Sequence, residues 1–79
     1  MTDYEILRVM VDYAMDNYGF NSRRKTGRRC TVQFEIRRAS RDRYFVYYTS
    51  AATYADALIK LWGKLPHWAQ DEILKGDKQ

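Results

Sequence analysis

Apolar positions in residues 3–18 recur at the spacing of an amphipathic helix. They lie three and four residues apart, and they are Leu7, Met10, Val11, Ala14 and Tyr18. Thr2 and Glu5 match the capping box that begins many helices, and Gly19 stands where a helix commonly ends. The pattern therefore predicts an N-terminal helix that packs one face on a core.

Strict alternation of apolar and polar positions follows in residues 30–38. One set is Cys30, Val32, Phe34 and Ile36, and the other set is Thr31, Gln33, Glu35 and Arg37. This period of two predicts a half-buried strand. Residues 39–42 are polar and have the length of a hairpin connection. Residues 43–49 are aromatic and β-branched, so they predict a second strand and a hairpin over 30–49.

The second predicted strand has apolar side chains on both faces. Phe45 and Tyr47 lie on one face, whereas Tyr44, Val46 and Tyr48 lie on the other. Only one face of a strand in so small a domain can rest on the core. We therefore expect the other face to contact something else.

Residues 50–76 predict two helices. Ser50 is a suitable N-cap for the first helix, and Pro66 suits the first turn of the second. The apolar stripe of the first helix is Ala51, Tyr54, Ala55, Leu58, Leu61 and Trp62. Ala69 and Ile73 continue this stripe in the second helix. Both helices are expected to pack on the same face of the sheet.

These elements predict a single α+β domain over residues 1–79. Its parts are an N-terminal helix, an antiparallel β-hairpin or small sheet, and then a helix and a short C-terminal helix packed on one face. Residues 20–29 show no periodicity and carry many cations, which predicts a basic loop. A third strand within residues 20–27 is the alternative.

The positive charge of the chain is concentrated in residues 21–43. This segment holds nine cations against Glu35 and Asp42, a net charge of +7, whereas the whole chain carries +4. The cations are Arg23, Arg24, Lys25, Arg28, Arg29, Arg37, Arg38, Arg41 and Arg43. Eight of them are arginine, which forms forked contacts with phosphate and carboxylate. We expect an acidic partner for this segment.

Catalytic chemistry is not expected in this chain. Cys30 falls on the inward face of its strand, where a thiol is usually an inert small hydrophobe. His67, the single histidine, has no nucleophile or metal ligand near it in sequence. We therefore predict no catalytic residue, no metal site and no cofactor.

The sequence also bears on location. No apolar run approaches the roughly 20 residues that a bilayer-spanning helix needs, so no membrane association is expected. The first residues carry acids where a signal peptide would carry cations. A cytoplasmic protein is the prediction, which agrees with the single cysteine.

Arginine interleaved with aromatic residues predicts a surface for single-stranded nucleic acid, through phosphate pairing and base stacking. The candidate binding residues are the nine cations together with Tyr44, Tyr47 and Tyr48. A nine-residue strand is about 30 Å long, so cations at its two ends would form two patches or a rim. A basic loop that serves only solubility is the alternative to any binding role.

Two other partners remain open at this stage. Arginine and tyrosine are also typical of protein interface hot spots, so an acidic protein surface is the competing target. Small size and the lack of catalytic groups fit the phage-encoded inhibitors of host defence complexes, such as anti-CRISPR and anti-restriction proteins. The other partner is a second copy of this chain, in a homodimer through the second strand, because that strand is apolar on both faces.

The order of helix, strands and helix resembles the double-stranded RNA-binding domain. In that family a third strand is present and the last helix begins with lysines. Here a third strand is not evident, and the segment "SAATYADA" carries no cation before Lys60. A hairpin followed by T-S-x-x-x-x-A-x-x-L, residues 49–58, also resembles the arm-binding domains of phage integrases. The resemblances imply an α+β fold, and neither assigns a role to a residue of this chain.

Overall fold

The computed structural model describes residues 1–16 and 21–77, and its element order confirms the predicted α+β fold. The elements are α1 (Asp3–Asp16), β1 (Asn21–Thr26), β2 (Arg29–Arg38), a short 3₁₀ turn (Ala39–Arg41), β3 (Arg43–Ala51), α2 (Tyr54–Lys64) and α3 (His67–Asp77). Within the described ranges, no helix has the length and apolar character needed to cross a membrane.

The three strands form one antiparallel sheet in the order β1-β2-β3. Val32 at the middle of β2 lies opposite Arg23 in β1 and Thr49 in β3. Among the described residues, the pairing with β1 ends at Phe34, and beyond it β2 pairs with β3. Both β1 and β3 are therefore edge strands.

The expected basic loop over residues 20–29 is wrong for Asn21–Thr26, which forms β1. Only Gly27 and Arg28 make the turn to β2, and Gly27 takes the left-handed conformation with φ of 60°. The side chains from Arg23 to Thr26 are all exposed, so no apolar period marks this strand. Backbone pairing with β2 holds it in the sheet, and the alternative of a third strand is the one observed.

All three helices contribute to a core on one face of the sheet. The buried apolar side chains are Ile6, Val9, Met10 and Tyr13 of α1, Cys30, Val32, Phe34 and Ile36 of β2, Ala57 and Leu61 of α2, Leu65, and Ala69 and Ile73 of α3. The alternation predicted for β2 is confirmed, because its four apolar positions are buried. Removing each large aliphatic group from water contributes about 1.5–3 kcal/mol to folding.

The capping box of α1 is present, but its buried face differs from the predicted one. The backbone amide of Glu5 donates to Thr2 Oγ1 at 3.2 Å. The backbone amide and the hydroxyl of Thr2 donate in turn to Glu5 Oε1 at 3.3 and 3.0 Å, and these two hydrogen bonds lower the pKa of Glu5. The buried positions are Ile6, Val9, Met10 and Tyr13, whereas Val11 is exposed. The helix is therefore rotated by about one residue, roughly 100°, from the predicted stripe. Tyr18 and Gly19 lie outside the described residues.

The N-cap of α2 is Thr53, and the prediction of Ser50 was wrong. Thr53 Oγ1 accepts a hydrogen bond from the backbone amide of Asp56 at 3.0 Å. Ser50 still belongs to β3, where its hydroxyl lies 2.6 Å from the hydroxyl of Thr31. The predicted stripe of α2 is also shifted, since Ala57 is buried and Ala55 is exposed.

A candidate binding surface on the open sheet face

One face of the sheet is covered by the three helices, and the opposite face has none of the described helices on it. Side chains alternate between the two faces along each strand, so the register assigns every position to one of them. We call the uncovered side the open face. Its residues are Arg24 and Thr26 of β1, Arg29, Thr31, Gln33, Glu35 and Arg37 of β2, and Tyr44, Val46, Tyr48 and Ser50 of β3.

An exposed stripe of large side chains runs along β3 on the open face. Tyr44, Val46 and Tyr48 are 55%, 53% and 68% exposed. They occupy successive outward positions, and Tyr44 and Tyr48 lie about 13 Å apart along the strand. Contiguous apolar surface of this kind commonly marks a contact region. The two-faced character predicted for this strand is confirmed.

Cations lie at both ends of the open face. Arg24, Arg28 and Arg29 are exposed near the β1–β2 turn. Arg37 and Arg41 are exposed near the β2–β3 connection. Arg24 lies opposite Thr31, which is six positions before Arg37 in β2, a distance of about 20 Å along the strand. The cations therefore form two groups, one beyond Tyr48 and the other beside and beyond Tyr44.

Arg37 has a defined partner at its end of the face. Its guanidinium donates to Asp42 Oδ1 at 2.6 Å, and both side chains are largely exposed. The hydrogen bond and the charge of Asp42 raise the pKa of Arg37. Asp42 has φ of 49°, a left-handed conformation that Asp and Asn adopt more readily than most residues. An incoming anion would compete with Asp42 for this arginine.

Five candidate residues do not belong to the open face. Tyr47 is half-buried on the helix side, with its ring 6.4 Å from that of Trp68. The Arg38 guanidinium lies 5.1 Å from the ring of Trp68, and that of Arg23 lies 5.7 Å from the ring of Tyr54. The register places the remaining two, Lys25 and Arg43, on the helix side as well.

Seven candidates remain on or beside the open face, and the face adds residues that were not candidates. The seven are Arg24, Arg28, Arg29, Arg37, Arg41, Tyr44 and Tyr48. Val46 completes the stripe, while Gln33 lies opposite Tyr48 and Glu35 lies opposite Val46. The alternation of β2 had already placed Gln33 and Glu35 outward. Because Gln33 is neutral and Glu35 is acidic, neither residue gave a separate signal of binding.

The potentially reactive side chains lie elsewhere. Cys30 is buried as predicted, and its Sγ lies 3.6 Å from the carbonyl oxygen of Ala52. His67 is exposed at the start of α3. In the part of the chain that the structure describes, no group of three or more histidine, cysteine or acidic side chains is arranged to hold a metal ion.

Comparisons with models of protein families, with curated proteins and with solved structures found no match to this chain. The resemblance to the double-stranded RNA-binding domain therefore rests on element order. The observation of β1 supplies the third strand of that order. The first turn of α2 carries Asp56 and no cation, which leaves the other departure in place.

Proposed function

We propose that this chain is a non-enzymatic module that binds single-stranded nucleic acid, free or within a nucleoprotein complex, on the open face. The observation that carries the proposal is the exposure of Tyr44 and Tyr48 on one sheet face, between two groups of arginines. Aromatic side chains stack on bases of any sequence, and arginines pair with the phosphates on either side.

The geometry suits an extended strand that runs along β3. Stacking on an aromatic side chain is worth about 1–3 kcal/mol per base, so two tyrosines supply a substantial part of the affinity. Arg24, Arg28 and Arg29 lie beyond the Tyr48 end of the stripe. At the other end Arg37 lies beside Tyr44, and Arg41 lies in the connection that follows. A strand long enough to reach both groups gains phosphate contacts at each end.

The exposed tyrosines favour a single strand over a duplex as the target. A duplex hides the faces of its bases, so exposed tyrosines would find no stacking partner on it.

Helix starts are a common phosphate contact, but the first turn of α1 carries Asp3 and Glu5. The first turn of α2 carries Asp56. These acids repel phosphate, which supports a contact on the sheet.

A second candidate function is the inhibition of a protein partner with an acidic surface, of the kind that phages direct against host defence complexes. Val46 is the observation that favours it, because an exposed aliphatic side chain between two tyrosines gives no specific interaction with a base. Tyrosine and arginine around an apolar centre are typical of protein interface hot spots.

The proposal is tested by fluorescence anisotropy with labelled single-stranded RNA, single-stranded DNA and a duplex of the same sequence. We expect binding of single strands at low salt and weaker binding of the duplex. A pull-down from lysate with and without nuclease separates the second candidate. Retention of one protein partner after nuclease, with no binding of any oligonucleotide at low salt, would reject the proposal in favour of a protein target.

A further inference from the structure

The two edges of the sheet differ sharply in charge. β1 carries Arg23, Arg24 and Lys25 within six residues, and cations of this kind protect an edge against pairing with another chain. β3 is nine residues long, with Arg43 as its one charge and neither proline nor glycine. In the described ranges, β2 pairs with one edge of β3, and no strand pairs with its other edge. Its free edge therefore offers unpaired backbone groups with little protection.

We infer that two copies of this chain associate by antiparallel pairing of their β3 strands, which joins two sheets into one of six strands. A twofold axis at Val46 gives a register in which the exposed stripe is self-complementary. Val46 then lies opposite Val46 of the partner subunit, and Tyr44 lies opposite Tyr48 of the partner subunit. Aromatic and β-branched cross-strand pairs of this type each contribute roughly 0.2–1 kcal/mol.

The charge pattern of the two edge strands is what favours a second copy of β3 as the occupant of this edge. In this register Arg43 lies opposite Thr49 of the partner subunit, so no two cations meet. Pairing of β1 with itself would bring its three cations against one another, which is destabilising. The residues of β3 thus permit self-pairing at one edge, and those of β1 oppose it at the other.

The helix side of β3 is also compatible with self-pairing. Phe45 and Tyr47 are half-buried there, and Phe45 packs edge-on against Trp68 with 5.1 Å between ring centroids. The register sets Phe45 opposite Tyr47 of the partner subunit, so both side chains lose further exposure. Lys60 Nζ donates to the carbonyl oxygen of Ser50 at 3.4 Å, and a pairing over residues 43–49 leaves that contact intact.

This association is separate from nucleic-acid binding. Pairing along an edge leaves the open face uncovered, and it places the tyrosine stripes of two copies side by side. The dimer consequently does not depend on the proposed function, and either can fail without the other.

Sedimentation equilibrium over a range of protein concentrations tests the inference. We expect the mass to rise from 9.5 kDa towards twice that value as concentration increases. Val46→Lys sets two cations opposite each other at the twofold axis and should give a monomer throughout. Gln33→Lys adds the same charge to the open face of the central strand and should leave the dimer in place.

A wild-type chain that stays monomeric at the highest concentration would overturn the inference, as would a dimer that survives Val46→Lys. Circular dichroism reports whether the Val46→Lys chain is folded. If it is unfolded, cross-linking decides the question.

Disulfide cross-linking checks the register without added charge. Val46→Cys should form a covalent dimer on mild oxidation, because the two positions are opposite each other. Tyr44→Cys alone should not, since its two copies lie about 13 Å apart, whereas a mixture of Tyr44→Cys and Tyr48→Cys chains should. Wild type, whose Cys30 is buried, is the control that should remain uncross-linked. Absence of a covalent dimer of Val46→Cys would reject this pairing.

Discussion

Tyr44 lies directly opposite Arg37 in the β2–β3 ladder, and both side chains belong to the open face. The pair brings a ring that can stack on a base next to a guanidinium that can bind the adjoining phosphate. Tyr48, at the other end of the stripe, lies opposite the neutral Gln33. The two tyrosines therefore share one proposed role in stacking but differ in their electrostatic surroundings.

Replacement of either tyrosine by alanine should weaken the binding of single-stranded nucleic acid. The expected loss is about 1–3 kcal/mol for Tyr44→Ala or Tyr48→Ala, roughly five- to 150-fold in affinity. Phenylalanine at either position should bind nearly as well as tyrosine, because the aromatic face is kept. Fluorescence anisotropy with a labelled single strand measures each affinity.

Tyr4 provides the matched control for these variants. It lies on α1 and is 76% exposed, so Tyr4→Ala removes an equally accessible ring away from the open face. An effect of Tyr4→Ala as large as that of Tyr48→Ala would argue against a specific stacking surface. A loss in the phenylalanine variants equal to that in alanine would assign the contact to the hydroxyl group.

Release of Arg37 from its partner should strengthen binding. Asp42→Asn removes the carboxylate that holds the guanidinium at 2.6 Å, and asparagine tolerates the left-handed backbone at this position. Exposed ion pairs are weak, so we expect affinity to rise by no more than about fivefold. Asp71→Asn on α3 removes the same charge elsewhere and should change affinity less. Equal gains in both variants would show only an effect of net charge.

The hydroxyl of Thr49 predicts a stabilising substitution. Thr49 is buried on the helix side of β3, and its Oγ1 has no hydrogen-bond partner in the described part of the chain. A buried unsatisfied polar group costs about 1–3 kcal/mol, and valine has nearly the same shape without the hydroxyl. Thr49→Val should therefore raise the free energy of unfolding by about 1 kcal/mol in urea denaturation.

Thr31, on the neighbouring strand β2, differs from Thr49 because its hydroxyl has a hydrogen-bond partner. Its hydroxyl lies 2.6 Å from that of Ser50, so Thr31→Val breaks a hydrogen bond and should lower stability. Stabilisation by both substitutions would indicate a general preference for β-branched apolar residues in the sheet. In that case the unsatisfied hydroxyl of Thr49 would not be the cause.

The parts of the fold that could be predicted are those in which one face is buried. The alternation in β2 assigned every side chain to its correct face, because the apolar set Cys30, Val32, Phe34 and Ile36 is all buried. The sequence of β1 has no such alternation of apolar and polar positions. Its described side chains are exposed on both sides, so its sequence looks like a loop, and only backbone pairing reveals it.

For α1, the buried face of the helix was harder to predict than the presence of the helix. Apolar residues occupy Ile6, Leu7, Val9, Met10, Val11, Tyr13 and Ala14. Two overlapping stripes can be drawn through this set, and they differ by one residue. Packing against the sheet and α3 selects the stripe with Met10 and Tyr13 at its centre. No local property of the sequence distinguishes the two.

The candidate site was predicted in part for the same reasons. The arginines and tyrosines are the residues of interest, but sequence alone did not divide them between two faces. Tyr47 and Arg38 both lie close to Trp68, a residue 21 and 30 positions away respectively. Such contacts depend on how α3 docks on the sheet, which the charge pattern of residues 21–43 does not encode.

The salt dependence of single-strand binding tests the open-face proposal most directly. Each phosphate neutralised on a single strand contributes a slope of about −0.7 to the log–log plot of affinity against salt, so the five arginines beside the open face predict about −3.5. Arg24→Gln with Arg28→Gln should make the slope shallower by about 1.4. Lys64→Gln with Lys75→Gln, on α2 and α3, should leave it unchanged. A slope near zero, or an equal change in both double variants, would contradict binding on the open face.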